Sequence, residues 1–214
     1  MDKVAFIKEN NTNLIKTTQN DFKYIKSIVI FSAEESDSLM NLLKNAGYAF
    51  VPVTGEYNGN QDNFYAVFNL SLNSALYLCR HCQLTSLVWN RLNSDGSIYS
   101  RYWELNDTSA PYHKKDNGFI AKQEWGTQYD ANDDFAITDE PVKYSIPCSV
   151  LKTFNDKIGE NISGIVEQEN ARGVTIINEE NLLDFAMNRT GLSSHLYRKA
   201  IYNNISQSLY HEQN

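Results

Sequence analysis

Two short stretches carry side chains suited to holding or transforming a ligand. Ser32-Ala33-Glu34-Glu35-Ser36 follows an apolar run and precedes a helical pattern. A position just past the carboxyl end of a central strand is where open α/β layers place ligands. Ser32, Glu34 and Glu35 could there bind a divalent cation or act as a general base, or the two acids could simply complement a helix dipole. Amides free at the helix start would suit an anion, which Glu34 and Glu35 would repel. Thr54-Gly55-Glu56-Tyr57-Asn58-Gly59-Asn60 leaves a second apolar run, and its glycines permit a tight turn or a close backbone approach. Glu56 and Tyr57 add polar groups there, with a plain hairpin loop as the alternative. Gln83 and Ser86, with Tyr102 and Glu104, come from the other side of the sheet and join this site only if its loops converge.

Other constellations read as structure first. Cys79-Arg80-His81-Cys82 has the spacing of half a zinc knuckle, but only Cys148, His113, His195 and His211 remain as soft ligands, none at a second paired spacing. A redox pair precedes a helix, where the dipole lowers the thiol pKa, whereas this pair ends one. Cys79 and Cys82 share a stripe with Ala75 and Leu78 and are taken as buried structural cysteines. Asp130-Ala131-Asn132-Asp133-Asp134 starts like a calcium loop, yet Phe135 stands where the turn needs Gly and Pro141 where a bidentate Glu belongs. No GxSxG, P-loop, GxGxxG or HExxH motif occurs, so no metal and no cofactor are expected.

Leu182 to Lys199 resembles a helix-turn-helix around Gly191-Leu192-Ser193. A helix from Ser193 could present Ser194, His195, Arg198 and Lys199 to DNA. Ala186 is one position too far from Gly191 for the common pattern and cations are few, so a plain helical hairpin packed on the domain is the first reading.

The elements that must position these residues follow from periodicity. Ile28-Val29-Ile30-Phe31 is a strand buried on both faces. Ser36 caps a helix with Leu39, Met40, Leu42 and Leu43 on one side, stopped by Gly47. Ala49 to Val53 and Phe64 to Phe68 are the next strands. Ser71 caps a second helix, and Thr85 to Trp89 is a fourth strand. The order β-α-β-β-α-β is the ferredoxin-like arrangement, with spatial order 4-1-3-2. Pro52, which cannot donate to a ladder, then falls on an edge strand. Asn93-Ser94-Asp95-Gly96 turns into a fifth strand, Ile98 to Glu104. The same order occurs in RNA-binding sheets, and Phe64 and Phe68 alternate suitably, but the first strand lacks their aromatic and basic residues.

The predicted fold is therefore α+β. Residues 1–26 form an N-terminal arm and 27–105 a ferredoxin-like core with an added fifth strand. Residues 106–145 are a long irregular loop, and 146–214 a mostly helical region packed on the core. Tyr112, Trp125 and Tyr129 in the loop are candidate partner-binding residues, since Tyr and Trp favour interface hot spots. Helices are predicted from Val150 to Ile165, across Gly159, from Asn178 or Asn181 to Met187 and from Ser193 towards Tyr210, with a short strand at Gly173 to Ile177.

The chain has 214 residues, 42% of them hydrophobic and 12% aromatic, enough for a sizeable core and against wholesale disorder. No apolar run approaches the roughly 18 residues of a membrane-spanning helix. The start is too short in its apolar part for a signal peptide, and three cysteines cannot build a disulfide framework, so a reducing cytoplasm is expected. A net charge of -7 argues against a general nucleic-acid coat.

Ser27 to Trp89 resembles a family of uncharacterised bacteriophage and mobile-element proteins. The resemblance rests on Ile30-Phe31-Ser32-Ala33-Glu34, Ala46-Gly47-Tyr48, Val51-Pro52-Val53-Thr54-Gly55-Glu56-Tyr57, Phe64-Tyr65-Ala66-Val67 and Gln83-Leu84-Thr85-Ser86. The family pattern has Ala-Glu-Asn-Pro and a longer loop. Here Glu35-Ser36 replaces Asn-Pro and the loop is shortened. The resemblance implies an intracellular role in a host cell and no particular chemistry. Three function classes follow, in order. The first is an accessory protein binding a host protein or a small ligand. The second is an enzyme acting on a nucleotide or phosphate ester, and the third a DNA-binding regulator.

Overall fold

The computed structural model describes residues 22–32, 36–93, 97–128, 135–137, 142–174, 178–189, 191–202 and 205. Residues 1–21 of the predicted arm and the predicted strand at 175–177 lie outside them. The chain runs β1 (Ser27–Ser32), α1 (Ser36–Ala46), β2 (Phe50–Tyr57), β3 (Asn60–Phe68), α2 (Leu72–His81), β4 (Ser86–Leu92) and β5 (Ser97–Leu105). It continues with β6 (Phe119–Gln128), β7 (Phe135–Ile137), β8 (Val142–Ile146), α3 (Cys148–Ala171), α4 (Glu179–Asn188) and α5 (Leu192–Ile201).

All eight strands join one antiparallel sheet in the order β6-β5-β4-β1-β3-β2-β8-β7. The protein is α+β, but the sheet is wider than the five strands predicted. The segment 106–145 is not one long irregular loop, because it supplies β6, β7 and most of β8. β6 extends the β4–β5 hairpin outward, and β8 closes on the far end of β2. On β2, the residues that pair with β8 are Gly55–Tyr57, so the ladder on that side begins past Pro52, which has no N–H to give it.

The stretch predicted as a loop at 54–60 is mostly strand. Only Asn58 and Gly59 turn, both with positive φ (50° and 82°), as a two-residue hairpin requires. Gly47 (φ 75°) ends α1 in the same left-handed region. Ser71 caps α2, its hydroxyl accepting from the Ser74 N–H at 3.3 Å. The last helix is described over Leu192–Ile201, and most of the stretch from there towards Tyr210 lies outside the described residues.

Strand alternation sends Val29, Phe31, Val67, Leu87 and Trp103 to one face, where Leu39 and Leu43 of α1 and Ala75, Leu76 and Cys79 of α2 cover them. Ile28, Ile30, Phe64, Ala66, Phe68 and Val88 face the other way, under Leu151, Phe154, Ile158 and Ile162 of α3 and Leu182, Leu183 and Ala186 of α4. Phe68 stacks on Phe154 with ring centroids 3.9 Å apart. The face that an RNA-binding sheet would expose is thus a core surface here. No helix among the described residues is long and apolar enough to cross a membrane.

Gly159 sits mid-helix because Tyr24 presses on α3. A Cβ there would lie 2.5 Å from the Tyr24 ring, which is held by its hydroxyl donating to Glu179 at 2.8 Å. Alanine is ordinarily worth about 1 kcal/mol over glycine in a helix. Here Gly159→Ala is expected to destabilise the protein by about 1–2 kcal/mol through overpacking. Urea unfolding of the variant tests this, and a gain in midpoint would contradict it.

Candidate functional site

At one end of the sheet lies a cavity of about 150 Å³, lined among the described residues by strands and the Thr85 approach to β4. Ile30 and Ser32 come from β1, Tyr57 from β2, Asp62 and Phe64 from β3. Thr85 through Val88, Tyr102 of β5 and Val142 of β8 complete it. Register brings these distant residues together: Ser32 stands across from Phe64, Val88 from Tyr102 and Tyr57 from Val142. Gly55 faces Asp62 and contributes no side chain, which leaves room beside the carboxylate.

Tyr102 is nearly buried, and its hydroxyl lies 3.5 Å from that of Tyr57, which is partly exposed at the mouth. Burial raises the Tyr102 phenol well above its ordinary value, with a hydrogen bond from Ser86 acting in the opposite direction and Tyr57 adding to the rise. The phenol is therefore neutral and able to donate or accept at any physiological pH. Asp62 is half-buried, and its Oδ1 accepts from the Asn63 N–H at 2.7 Å. Among the described lining residues Asp62 is the one carboxylate, and none is Lys, Arg or His. The arrangement offers hydroxyls, one carboxylate and aromatic and aliphatic walls. Such groups can hold a ligand by hydrogen bonds, one charge and apolar contact.

Of the predicted ligand-binding residues, Ser32 and Tyr57 meet in this cavity, and Ser86 and Tyr102 converge with them. Glu56 does not: one position from Tyr57 on a strand, it projects from the opposite face and is exposed. Gln83 sits exposed in the turn after α2 with φ 61° and is not part of the lining. Glu34 and Glu35 lie outside the described residues. Asp62, Phe64 and Val142 were missed. Asp62 and Phe64 share the spacing that puts Ala66 and Phe68 on the same face, so alternation could have found them.

The partner-binding candidates do not form one described surface. Tyr112 is half exposed, its ring 5.7 Å from that of Tyr77. Trp125 lies on β6 opposite Ser100, and Tyr129 is outside the described residues. Cys79 and Cys82 are buried and free. The Cys79 thiol donates to the Ser86 carbonyl at 3.4 Å, and burial pushes its pKa up, the reverse of a redox thiol. No group of three or more His, Cys, Asp or Glu among the described residues could hold a metal ion.

The helix-turn-helix candidates need correction. Arg198 and Ser194 are buried, and His195 is half-buried, leaving Lys199 exposed. Arg198 Nε donates to the Ala46 carbonyl at 3.0 Å and Nη1 to those of Ala186 and Arg189 at 3.1 and 3.0 Å. Its guanidinium also lies over the Tyr48 ring. Arg198 is an internal clamp on the ends of α1 and α4, and α5 turns Leu192 (75% exposed) and Leu196 (58%) outward instead. Of the four residues predicted to face DNA, Lys199 alone is exposed.

Compared with known proteins, the chain matches no family model, no curated protein and no solved structure.

Arg198→Met is expected to cost about 2–3 kcal/mol, since it strands buried carbonyls. Chemical denaturation measures this, and a retardation assay on duplex DNA is expected to give the same blank result for both proteins. The pH dependence has a definite sign. Burial raises the phenols of Tyr102, Tyr144 and Tyr202 above the ordinary value of 10.0. Their neutral forms belong to the fold, so this stabilisation is complete below the unfolded-state value and is lost as pH rises past it. The urea midpoint should be flat from neutrality to about pH 9 and fall above about pH 10. A midpoint unchanged through that range would show that these phenols do not hold their protons in the fold.

Proposed function

We propose that this protein binds a small polar ligand, and that the cavity walled by Ser32, Tyr57, Asp62, Ser86 and Tyr102 is the site. The observation that carries this is convergence: hydroxyls from four separate strands meet over an apolar floor in one cavity at the end of the sheet. Concave, mostly apolar sites with a few convergent polar groups are the usual form of ligand sites. A phosphate ester is a poorer occupant, because no cation is among the described lining residues and Asp62 would repel the ester. That leaves an enzyme acting on nucleotides as the weaker alternative.

The order β4-β1-β3-β2 inside the sheet, with α1 and α2 on one face, supports reading residues 27–92 as a ferredoxin-like core widened at both sides. The resemblance of that stretch to bacteriophage and mobile-element proteins supports an accessory role inside a bacterial host, with a host small molecule as the ligand.

The test is equilibrium dialysis of the full chain against a bacterial metabolite extract, read by mass spectrometry, alongside Ser86→Leu, which fills the cavity. A compound held by the wild-type protein and lost by the folded variant is expected. Retention of the same compounds by both, or of none, would remove the cavity as the binding site.

A further inference from the structure

We propose that the ligand of this cavity is a small organic ammonium with an apolar body. The proposal rests on the cavity being the ligand site and specifies what enters it. Three properties of the lining select the class. Among the described lining residues Asp62 supplies the one fixed charge, negative, and a cation brought beside it makes an ion pair in a partly enclosed site. The phenol oxygens of Tyr57 and Tyr102, 3.5 Å apart, accept N–H bonds, and burial keeps the Tyr102 phenol neutral, so it does not compete as a second anion. Phe64 and Val142 give the rest of the molecule an apolar wall that a bare metal ion or a polyol would leave unused.

Each competing class meets a specific obstacle. A carboxylate or phosphate would face Asp62 with no cation among the described lining residues to offset it. A divalent metal ion wants several carboxylate or carbonyl oxygens, and the described lining sets one carboxylate among hydroxyls and hydrocarbon. A neutral alcohol of the same shape would fill the apolar part and could donate one hydrogen bond to Asp62, but brings no charge to it. The net charge of -7 adds a long-range pull on small cations. The cavity volume, about 150 Å³, limits the occupant to a few heavy atoms beyond the ammonium.

The experiment titrates n-butylammonium, n-butanol, butyrate, inorganic phosphate, potassium and calcium into the full chain. It follows the aromatic resonances of Tyr57, Phe64 and Tyr102 by NMR. Butylammonium is expected to shift them saturably, with butanol at least about tenfold weaker, the order of one charge-assisted hydrogen bond. Asp62→Asn, which keeps the shape and removes the charge, is expected to weaken butylammonium by at least about tenfold and leave butanol unchanged. Butanol binding as tightly as butylammonium, or preference for butyrate, phosphate or a metal ion, would overturn the ammonium assignment while leaving the cavity a ligand site. No perturbation of those resonances by any probe would overturn both. The comparison of the amine with its neutral isostere uses the wild-type protein alone, so it decides the matter even if the Asp62 variant does not fold.

Discussion

The structure depends on β1 having no face that water can reach. Ile28 and Ile30 point one way, Val29 and Phe31 the other, and all are at most 2% exposed. A central strand of this kind requires two covering layers. The helices that connect the strands, α1 and α2, supply one of them. The second must come from elsewhere in the chain, and α3 to α5 provide it. Without that layer Phe64, Ala66 and Phe68 would form an exposed apolar surface large enough to drive association. The C-terminal helices are thus a requirement of the first strand's composition.

Two arginines hold these layers in place by a shared device. Arg198 donates to the carbonyls of Ala46, Ala186 and Arg189, tying α5 to the ends of α1 and α4. Arg80, in the last turn of α2, donates to the carbonyls of Asp107, Thr108, Ala110 and Asn117 and pins the segment between β5 and β6. Carbonyls at helix ends and in irregular loops lack backbone partners, and a planar fork of five donors satisfies several at once. Asp107 strengthens that segment from the other side. Its carboxyl, held by Ser109 and Lys114, sits down at about 2.

What was legible in the residues was whatever short-range pattern dictates. Ile28 to Phe31, Phe64 to Phe68 and the helix stops at Gly47 and Cys82 follow from local apolar spacing and from backbone conformations that few residues adopt. Part of the cavity was legible too, in Ser32, Tyr57, Ser86 and Tyr102, because all four sit on strands whose alternation is readable. β6 to β8 were not. β6 carries Lys122, Gln123, Glu124, Gly126 and Thr127, so no apolar period announces it, and its stability comes from pairing with β5. The role of Arg198 was invisible for a related reason. A cation three residues from the end of a helix looks solvated until the carbonyls of Ala46, far away in sequence, are brought to it.

The same use of cations shapes what the cavity can select. Arg80 and Arg198 are committed to backbone carbonyls, and Arg101 is drawn to Glu124 and the rings of Tyr99 and Trp103. These positive charges still count in the total of the chain, but they are fixed away from the open end of the sheet. There the described lining comes from the strands and Thr85, and it consists of hydroxyls, rings, aliphatic groups and Asp62. A site assembled from what covers no core residue has to work with short polar groups on a rigid floor. Its discrimination therefore comes from the sign of one charge and from the fit of an apolar body beside it. Rigidity favours such a site, because the polar groups are held by a ladder that is already paid for in the stability of the core.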